Sequence, residues 1–278
     1  MISVQNRIFA PLENEEMNLE FYKYQGTGND FVMIDNRELK VSKNNTKLIK
    51  RLCDRRFGVG GDGLILLEKP DVATDDFKMV YFNADGNPSS LCGNGGRCLV
   101  AVANYLGIVE KTARFTAIDG PHEARIKEGI VSLKRQNVTD VNLQEEYSFL
   151  DTGSPHHVIF VENVQSENVQ QKGSEIRYSE LYRENNGTNV NFVQQMNNEV
   201  LKVRTYERGV EDETYSCGTG VTAVAIAAYQ TGKIQNKEVK LETPGGSLEV
   251  RFEKTDSGFE NIWLTGPAVQ VFKGEIVC

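Results

Sequence analysis

The sequence has little that would suit a membrane, a nucleic acid or an oxidising compartment. No apolar run reaches the roughly 18 residues that a membrane-spanning helix needs. Lys and Arg form no block and the net charge is −8, so the basic footprint of a nucleic-acid-binding protein is missing. Residues 1–16 contain no apolar signal core and read as a polar extension.

Cysteine and histidine are also scarce. The five cysteines are odd in number and irregularly spaced, which argues against a disulfide scaffold and favours a reducing cytoplasm. No C-x-x-C pair occurs, and only His122, His156 and His157 could add imidazole ligands. Zinc sites have tighter ligand spacing, so we expect no metal site.

What is present is a globular chain of two similar halves. With 278 residues and 39% hydrophobic residues it can form one large or two medium domains around a core. A shift of 125 residues (217 − 92) superimposes mainly Gly, Cys and Tyr, the residue types that mark turns and special positions. The pairs include Thr27 with Thr152, Gly28 with Gly153, Tyr81 with Tyr206, Cys92 with Cys217, Gly95 with Gly220, and Gly107 with Gly232.

Both halves repeat one order of elements. A β-branched and aromatic run opens each half, at 30–36 and 157–163, and a second precedes each cysteine, at 77–83 and 201–207. After the cysteine come helices at 97–107 and 221–232, then hairpins that turn at Gly120 and at Gly245-Gly246, while Gly107 and Gly232 suit the helix C-termini. The helices are apolar nearly all round, so we expect each to be wrapped by its own sheet.

Cys92 and Cys217 therefore both lie at a strand-to-helix turn. A helix N-terminus offers unpaired N–H groups and about half a positive charge, which favours thiolate and predicts a thiol pKa below that of a free cysteine. The glycines that follow each cysteine let backbone amides approach a carboxylate or phosphate. One such cysteine is more often a small buried hydrophobe, but two at matched positions favour a function.

Two uses of such a pair stay open. The thiols could form a redox disulfide if the halves face each other. Alternatively, one thiolate removes a proton from a carbon and the other thiol returns one to the opposite face, which inverts a stereocentre. A symmetric reaction of this kind accounts for the two similar halves of the chain. The backbone amides at the helix N-termini would hold the carboxylate next to the reacting carbon as charge develops on it.

Several motifs in the same order resemble the diaminopimelate epimerase family. The similarity runs from about residue 20 to the C-terminus. Proline racemases share the fold and the cysteine pair, but they carry His where this chain has Asn94. The motifs are GTGNDFVMIDNR, CDRRFGVGGDGLILLE, YFNADGNPSSLCGNGGRC, DTGSPHHV, GTNVNFV and TYERGVEDETYSCGTG.

The resemblance implies an α+β fold of two pseudo-symmetric domains, each a mixed or antiparallel, β-barrel-like sheet wrapped around a central helix. The first domain would comprise 1–136 with 265–278 returning to it, and the second 137–264. The implied activity is cofactor-independent interconversion of LL- and meso-diaminopimelate, which feeds lysine and peptidoglycan synthesis. The implied partners are this small substrate and a second copy in a homodimer; an alternative is a racemase of another amino acid on the same fold.

The resemblance also implies roles for individual residues. Cys92 and Cys217 would be the acid/base pair, with His156 and Glu207 assisting. Many relatives have Gln at Gly63 and Asn at Ser154, so we leave these two positions out of the site. The expected substrate contacts are Asn29, Asn83, Asn189, Glu207 and Arg208, with the amides of Gly93, Asn94, Gly218 and Thr219 as the carboxylate cradle.

Overall fold

A computed structural model describes residues 17–89 and 91–278, and the expectation for residues 1–16 lies outside that part. In these residues, seventeen strands form one hydrogen-bonded sheet, and there are four α-helices. The predicted α+β class is therefore confirmed. No helix of the described part has the length and apolar character to cross a membrane.

The first half contains seven strands and two helices. The strands are β1 (Asn18–Gly26), β2 (Asn29–Asp35), β3 (Gly63–Glu68), β4 (Phe77–Asn83), β5 (Thr112–Ala117), β6 (Gly120–Lys127) and β7 (Ile130–Lys134). The helices are α1 (Thr46–Cys53) and α2 (Gly93–Tyr105).

The second half contains the remaining ten strands. These are β8 (Val141–Leu143), β9 (Ser148–Asp151), β10 (Pro155–Phe160), β11 (Asn189–Gln195), β12 (Val200–Glu207), β13 (Asp212–Thr214), β14 (Glu238–Thr243), β15 (Gly246–Thr255), β16 (Gly258–Pro267) and β17 (Val269–Val277). Its helices are α3 (Val169–Arg177) and α4 (Gly218–Gln230), with short 3₁₀ turns at Val164–Ser166 and Glu180–Asn185.

The strand pairing repeats between the halves. β2 pairs parallel with β3, as β10 does with β11, and the next strand is antiparallel in both, β4 on β3 and β12 on β11. A parallel step to β5 or β14 and an antiparallel hairpin then follow. The duplication seen in the sequence is therefore a duplication of topology.

Two non-local pairings join the repeats. β16 pairs with β15 on one edge and with β7 on the other, so the sheets of the two halves are continuous. β17 pairs antiparallel with β1. That pairing supports our proposal that 265–278 belongs to the first domain and that the domains divide near 136/137.

Each central helix is buried by its own strands. α2 contacts β1, β2, β3, β6 and β7, and α4 contacts β9 to β12 and β14 to β16. Nearly every residue of α4 is buried, as its lack of a polar face predicts. α1 packs Ile49 and Leu52 on the outer face of β2 and β3, so those strands are apolar on both faces rather than alternating.

Both central helices end alike. Gly107 and Gly232 adopt φ of 70° and 71°, which an L side chain rarely adopts. In each case the residue after the glycine donates to a carbonyl five residues back, Ile108 to Ala103 and Lys233 to Ala228. These are the predicted glycine-terminated helix ends.

Candidate active site

Cys92 and Cys217 are the N-cap residues of α2 and α4, both with extended backbone. The helices begin at Gly93 and Gly218, earlier than the predicted starts at 97 and 221. A β-carbon placed on Gly218 would lie 3.7 Å from the α-carbon of Gly93, so the two helix N-termini touch. Their unpaired N–H groups and partial positive charges therefore converge at one place.

The glycines near each sulfur pack closely against neighbouring side chains. A β-carbon on Gly95 would lie 2.7 Å from Cδ1 of Ile65, and one on Gly220 would lie 2.6 Å from Oδ1 of Asn191. The one on Gly220 would also lie 3.4 Å from the sulfur of Cys217. These glycines let the first helical turns press against the strands beneath them.

Cys92 meets the side chain of Asn29. The Asn29 Oδ1 lies 3.3 Å from the Cys92 Sγ and also accepts from Nδ2 of Asn94 at 3.3 Å. The same Asn94 amide donates to the backbone carbonyl of Ser216 at 3.2 Å. Asn94 thus ties the Cys92 turn to the residue before Cys217.

Charged residues hold Asn29 in place. Its Nδ2 donates to Oδ2 of Asp62 at 2.6 Å. Arg55 bridges Asp62 and Asp30, and Asp30 also pairs with the buried Lys23 at 2.6 Å. Although burial opposes it, hydrogen bonds from Arg55 and Lys23 hold the pKa of Asp30 well below its usual range.

Cys217 meets a different network. The hydroxyl of Thr219 lies 3.3 Å from the Cys217 Sγ and 2.9 Å from Nε2 of His156. Nδ1 of His156 in turn lies 3.1 Å from Nδ2 of Asn191. Burial, followed by the charges of Arg208 and Arg135, lowers the pKa of His156 to about 3, so its ring is neutral.

The predicted depression of the thiol pKa is wrong. Burial raises the pKa of Cys217 to about 12, and burial likewise raises the pKa of Cys92. Amides of Asn94 and Gly95 at Cys92, and the Thr219 hydroxyl and Gly220 amide at Cys217, act in the other direction. Loss of water outweighs the helix N-terminus because Cys217 is buried and Cys92 is partly buried.

Known proteins are similar in sequence to this chain. The sequence model of the family described as diaminopimelate epimerase matches residues 21–133 and 148–271. A diaminopimelate epimerase of Flavobacterium psychrophilum is 56% identical over 259 residues, which cover 93% of this chain and 100% of that protein. One of Aquifex aeolicus is 40% identical, covering 93% of this chain and 98% of that protein.

The chain belongs to the diaminopimelate epimerase family. It is therefore an isomerase of the racemase and epimerase class. A phenazine biosynthesis protein of the PhzF family from Bacillus anthracis has a TM-score of 0.75 at 14% identity, covering 94% of this chain and 100% of that one. A hydroxyproline epimerase from Agrobacterium vitis has a TM-score of 0.66 at 10% identity, covering 94% of this chain and 91% of that one. At these identities the likeness shows the fold alone.

Some residues expected from the family resemblance are tied together by hydrogen bonds. Asn189 donates to Oγ of Ser154 and to the carbonyl of Pro155, both at 2.9 Å, and accepts from the amide of Arg208 at 2.9 Å. Ser154 therefore has a place in this network, although the expected site does not include it. Glu207 accepts from Thr214 at 3.0 Å, and burial raises its pKa.

Asn83 has an exposed side chain at the end of β4, opposite Gly63. A β-carbon on Gly63 would lie 2.5 Å from both the Phe82 carbonyl oxygen and the Tyr81 ring. The Tyr81 ring thus occupies the space in which a longer side chain at position 63 would begin.

The two histidines are the second and third residues of β10. They point to opposite faces, as strand alternation predicts, but both are buried. His156 faces Thr219, whereas His157 stacks on Tyr147 and bonds the Tyr182 hydroxyl at 2.6 Å. Only His156 belongs to the site.

Sequence reasoning missed four polar residues. Asn191 lies two residues after Asn189 on the same face of β11, a spacing that could have revealed it. Asp62 lies in the motif CDRRFGVGGDGLILLE, but its contact with Asn29 joins residues that are far apart in the sequence. Arg97 and Arg135 are the other two: Nε and Nη1 of Arg97 and Nε of Arg135 are buried without a hydrogen-bond partner among the described residues.

Arg135 lies between the Cys92 turn and the β9–β10 turn. Its guanidinium nitrogens would lie 3.8 Å from a β-carbon on Gly93 and 3.5 Å from one on Gly153. Arg97 is a buried residue of α2, and its guanidinium group donates to the Thr27 hydroxyl at 3.2 Å. In the described ranges, no group of three or more His, Cys, Asp or Glu is arranged to hold a metal ion.

Proposed function

We propose that this protein interconverts LL- and meso-diaminopimelate without a cofactor, with Cys92 and Cys217 as its two acid/base groups. The observation that carries the proposal is the matched position of the two sulfurs, at the N-caps of helices whose first residues touch. The family match favours this substrate over the alternative, a proline racemase-like enzyme for another amino acid.

The proposed reaction needs one thiolate and one thiol. The thiolate takes the proton from the α-carbon, and the electrons of the broken C–H bond move toward the adjacent carboxylate. The thiol of the other cysteine then gives its proton to the opposite face of the carbon, which inverts the centre. Because each sulfur ends in the state of the other, the enzyme works in both directions.

The helix N-termini would stabilise the developing charge. The amides of Gly93 and Asn94 converge with those of Gly218 and Thr219, and donors fixed in a dry site act strongly on charge that appears in the transition state. The incompletely paired guanidinium groups of Arg97 and Arg135 support this role, because a buried cation is costly unless an anion accompanies it.

Glu207 and His156 would assist the two thiols. The negative charge of Glu207 raises the pKa of both Cys92 and Cys217, so this carboxylate acts electrostatically on both sulfurs. His156 would act through the Thr219 hydroxyl. Asn29, Asn83, Asn189 and Arg208 would bind the amino and carboxylate groups that do not react.

The substrate proposal is tested by incubating the protein with LL-diaminopimelate and separating the stereoisomers. The expected product is meso-diaminopimelate, with the reverse reaction from the meso isomer. A panel of single-centre amino acids, including proline and hydroxyproline, is the comparison. Turnover of one of these in preference to diaminopimelate would establish the alternative and refute the proposed substrate.

A redox function for the cysteine pair is the second reading, and the structure offers it less support. All five cysteines are free thiols. We propose that a Cys92–Cys217 disulfide would only inactivate the enzyme, because it removes both acid/base groups. Full activity after oxidation, without added thiol, would show that this is wrong.

The cellular setting follows from the same proposal. Free thiols, two of them catalytic, suit a reducing compartment, so we place the protein in the cytoplasm. Its product would serve lysine and peptidoglycan synthesis.

We also propose a homodimer. β17 pairs with β1 along one edge, and among the described strands no other pairs with it. It exposes Val269, Val271, Phe272 and Val277, an apolar strand edge that proteins normally cover.

A further inference from the structure

The two cysteines differ in the hydrogen-bond partner that each sulfur meets. The positions of the hydrogens in these bonds can be inferred by starting from groups that can only accept a hydrogen bond. Each such group fixes the direction of the bonds of its neighbour. A carboxylate and a backbone carbonyl are acceptors only, so an Asn amide that contacts one must present its NH₂ there. Both networks contain such fixed points.

At Cys217 the chain of donors starts from the carbonyl of His157. Asn191 contacts that carbonyl through Nδ2 at 3.1 Å, and its Oδ1 accepts from the Thr205 hydroxyl at 3.0 Å, so its amide orientation is fixed. The same Nδ2 faces Nδ1 of His156, which must accept. The neutral ring therefore carries its hydrogen on Nε2.

That tautomer determines the direction of the next two bonds. Nε2 of His156 donates to the Thr219 oxygen, so the hydrogen of the Thr219 hydroxyl is free to point at the Cys217 sulfur. A donor at contact distance stabilises the thiolate form of Cys217.

At Cys92 the direction is reversed. The Asp62 carboxylate fixes the NH₂ of Asn29, so Oδ1 of Asn29 is the atom that faces Cys92. The NH₂ of Asn94, fixed by the Ser216 carbonyl, also points to this Oδ1 rather than to the sulfur. Cys92 can bond Asn29 only by donating, which stabilises its thiol form.

We propose that these networks set the order in which the pair ionises: Cys217 loses its proton first, the shared proton rests on Cys92, and Asn191 is the positioning residue that maintains this polarity. The proposal rests on the proposed function for its catalytic meaning. It says which sulfur is the first to become a base, which the symmetry of the halves alone leaves undecided.

The surrounding charges do not by themselves give this order. Glu207 disfavours the thiolate at both sulfurs, and Arg135 is near both. Tyr81 also lies close to Cys92, while Arg97 favours a thiolate at Cys92. The direct side-chain hydrogen bonds must therefore outweigh Arg97 and the amides of Asn94 and Gly95, which also favour a thiolate at Cys92. If they do not, Cys92 ionises first.

The test is a pH titration of the unliganded, full-length protein with ¹³C-labelled cysteine, followed by the Cβ chemical shifts. Cys92→Ala and Cys217→Ala variants serve only to assign the two signals. We expect Cys217 to titrate at a lower pH than Cys92 in the wild-type protein. The reverse order, or coincident titrations, would overturn the proposal.

Asn191→Asp tests the positioning role. A carboxylate at 191 cannot donate to His156, so the ring hydrogen moves to Nδ1, Thr219 donates to Nε2, and Cys217 loses the Thr219 hydroxyl as a donor while it keeps the Gly220 amide. We expect the Cys217 titration to move up by about one pH unit or more, and that of Cys92 much less. Thr205→Ser keeps the hydroxyl that bonds position 191 and should leave both titrations in place.

An unchanged Cys217 titration in Asn191→Asp would refute the role of Asn191. If that variant does not fold, the order in the wild-type protein still decides the polarity. None of these measurements uses a substrate, so they can fail while the protein still epimerises diaminopimelate, and the stereoisomer assay can fail while the ionisation order holds.

Discussion

Cys92 and Cys217 are each the N-cap of a 13-residue helix, and the residues that follow them are in contact across the two halves. This relationship turns a duplicated sequence feature into one site. The two helices are alike, but the side chains that surround the two sulfurs differ. The two thiols therefore have different hydrogen-bond partners.

The Thr219 hydroxyl is expected to be important for activity through Cys217. Thr219→Val keeps the size of the side chain but removes the hydroxyl that is in contact with both Cys217 and His156. A hydrogen bond to a charged group is worth about 1.5–3 kcal/mol, so we expect kcat to fall by about ten- to hundredfold. Steady-state kinetics with LL-diaminopimelate measure this.

Thr219→Ser is the matched control. It retains the hydroxyl and should keep kcat within a few-fold of the wild type. Equal activity of the Val and Ser variants would show that the hydroxyl has no part in the reaction.

His157 should make the protein less stable in acid. Burial lowers its pKa from 6.5 to about 4, so between these values the unfolded chain binds a proton that the folded protein does not. The free energy of unfolding must then decrease as the pH falls through this window. His157→Phe should show a shallower decrease in urea unfolding at several pH values. An unchanged slope would contradict this.

Gly107 and Gly232 should contribute to stability but not to turnover. A β-carbon has free space at both positions, but the left-handed backbone there disfavours an L side chain. Gly107→Ala and Gly232→Ala should each lower the free energy of unfolding by about 1 kcal/mol, with kcat unchanged. Denaturant unfolding measures this, and a gain in stability in either variant would count against the assigned geometry.

The β17 edge should mediate association. Val271 is 55% exposed in the isolated chain, and Val271→Lys would place a charge in the proposed dimer interface. Sedimentation should show a wild-type dimer and a predominantly monomeric variant. Val72→Lys changes an equally exposed valine, 51%, away from β17 and should remain dimeric. A monomeric wild type, or a dimer that tolerates Val271→Lys, would disprove the interface.

The sequence predicts the repeated elements well because they depend on local patterns. The strand at 77–83 has its predicted bounds, and the turns at Gly107 and Gly232 follow from glycine's freedom at positive φ. The helices start earlier than expected because glycines are poor helix formers, and packing against the sheet overrides that preference at Gly93 and Gly218.

The non-local features were less accessible. Nothing in the sequence of β16 indicates that both its edges pair, one of them with β7. The sequence predicts lowered thiol pKa values because a helix N-terminus can be recognised from a local pattern. Burial, which raises these pKa values, depends on the whole fold. Arg135 has no sequence signal at all, since its place beside Gly93 and Gly153 arises from the contact between the halves.

The most direct test of the two-thiol mechanism is the position of deuterium in the first turnovers. The protein is incubated with LL-diaminopimelate in D₂O, and substrate and product are analysed at low conversion. If one sulfur removes the proton and the other delivers a solvent-derived one, the meso product carries deuterium at the inverted carbon and the recovered substrate does not. Product that keeps its original hydrogen, or equal labelling of recovered substrate and product, would contradict the mechanism.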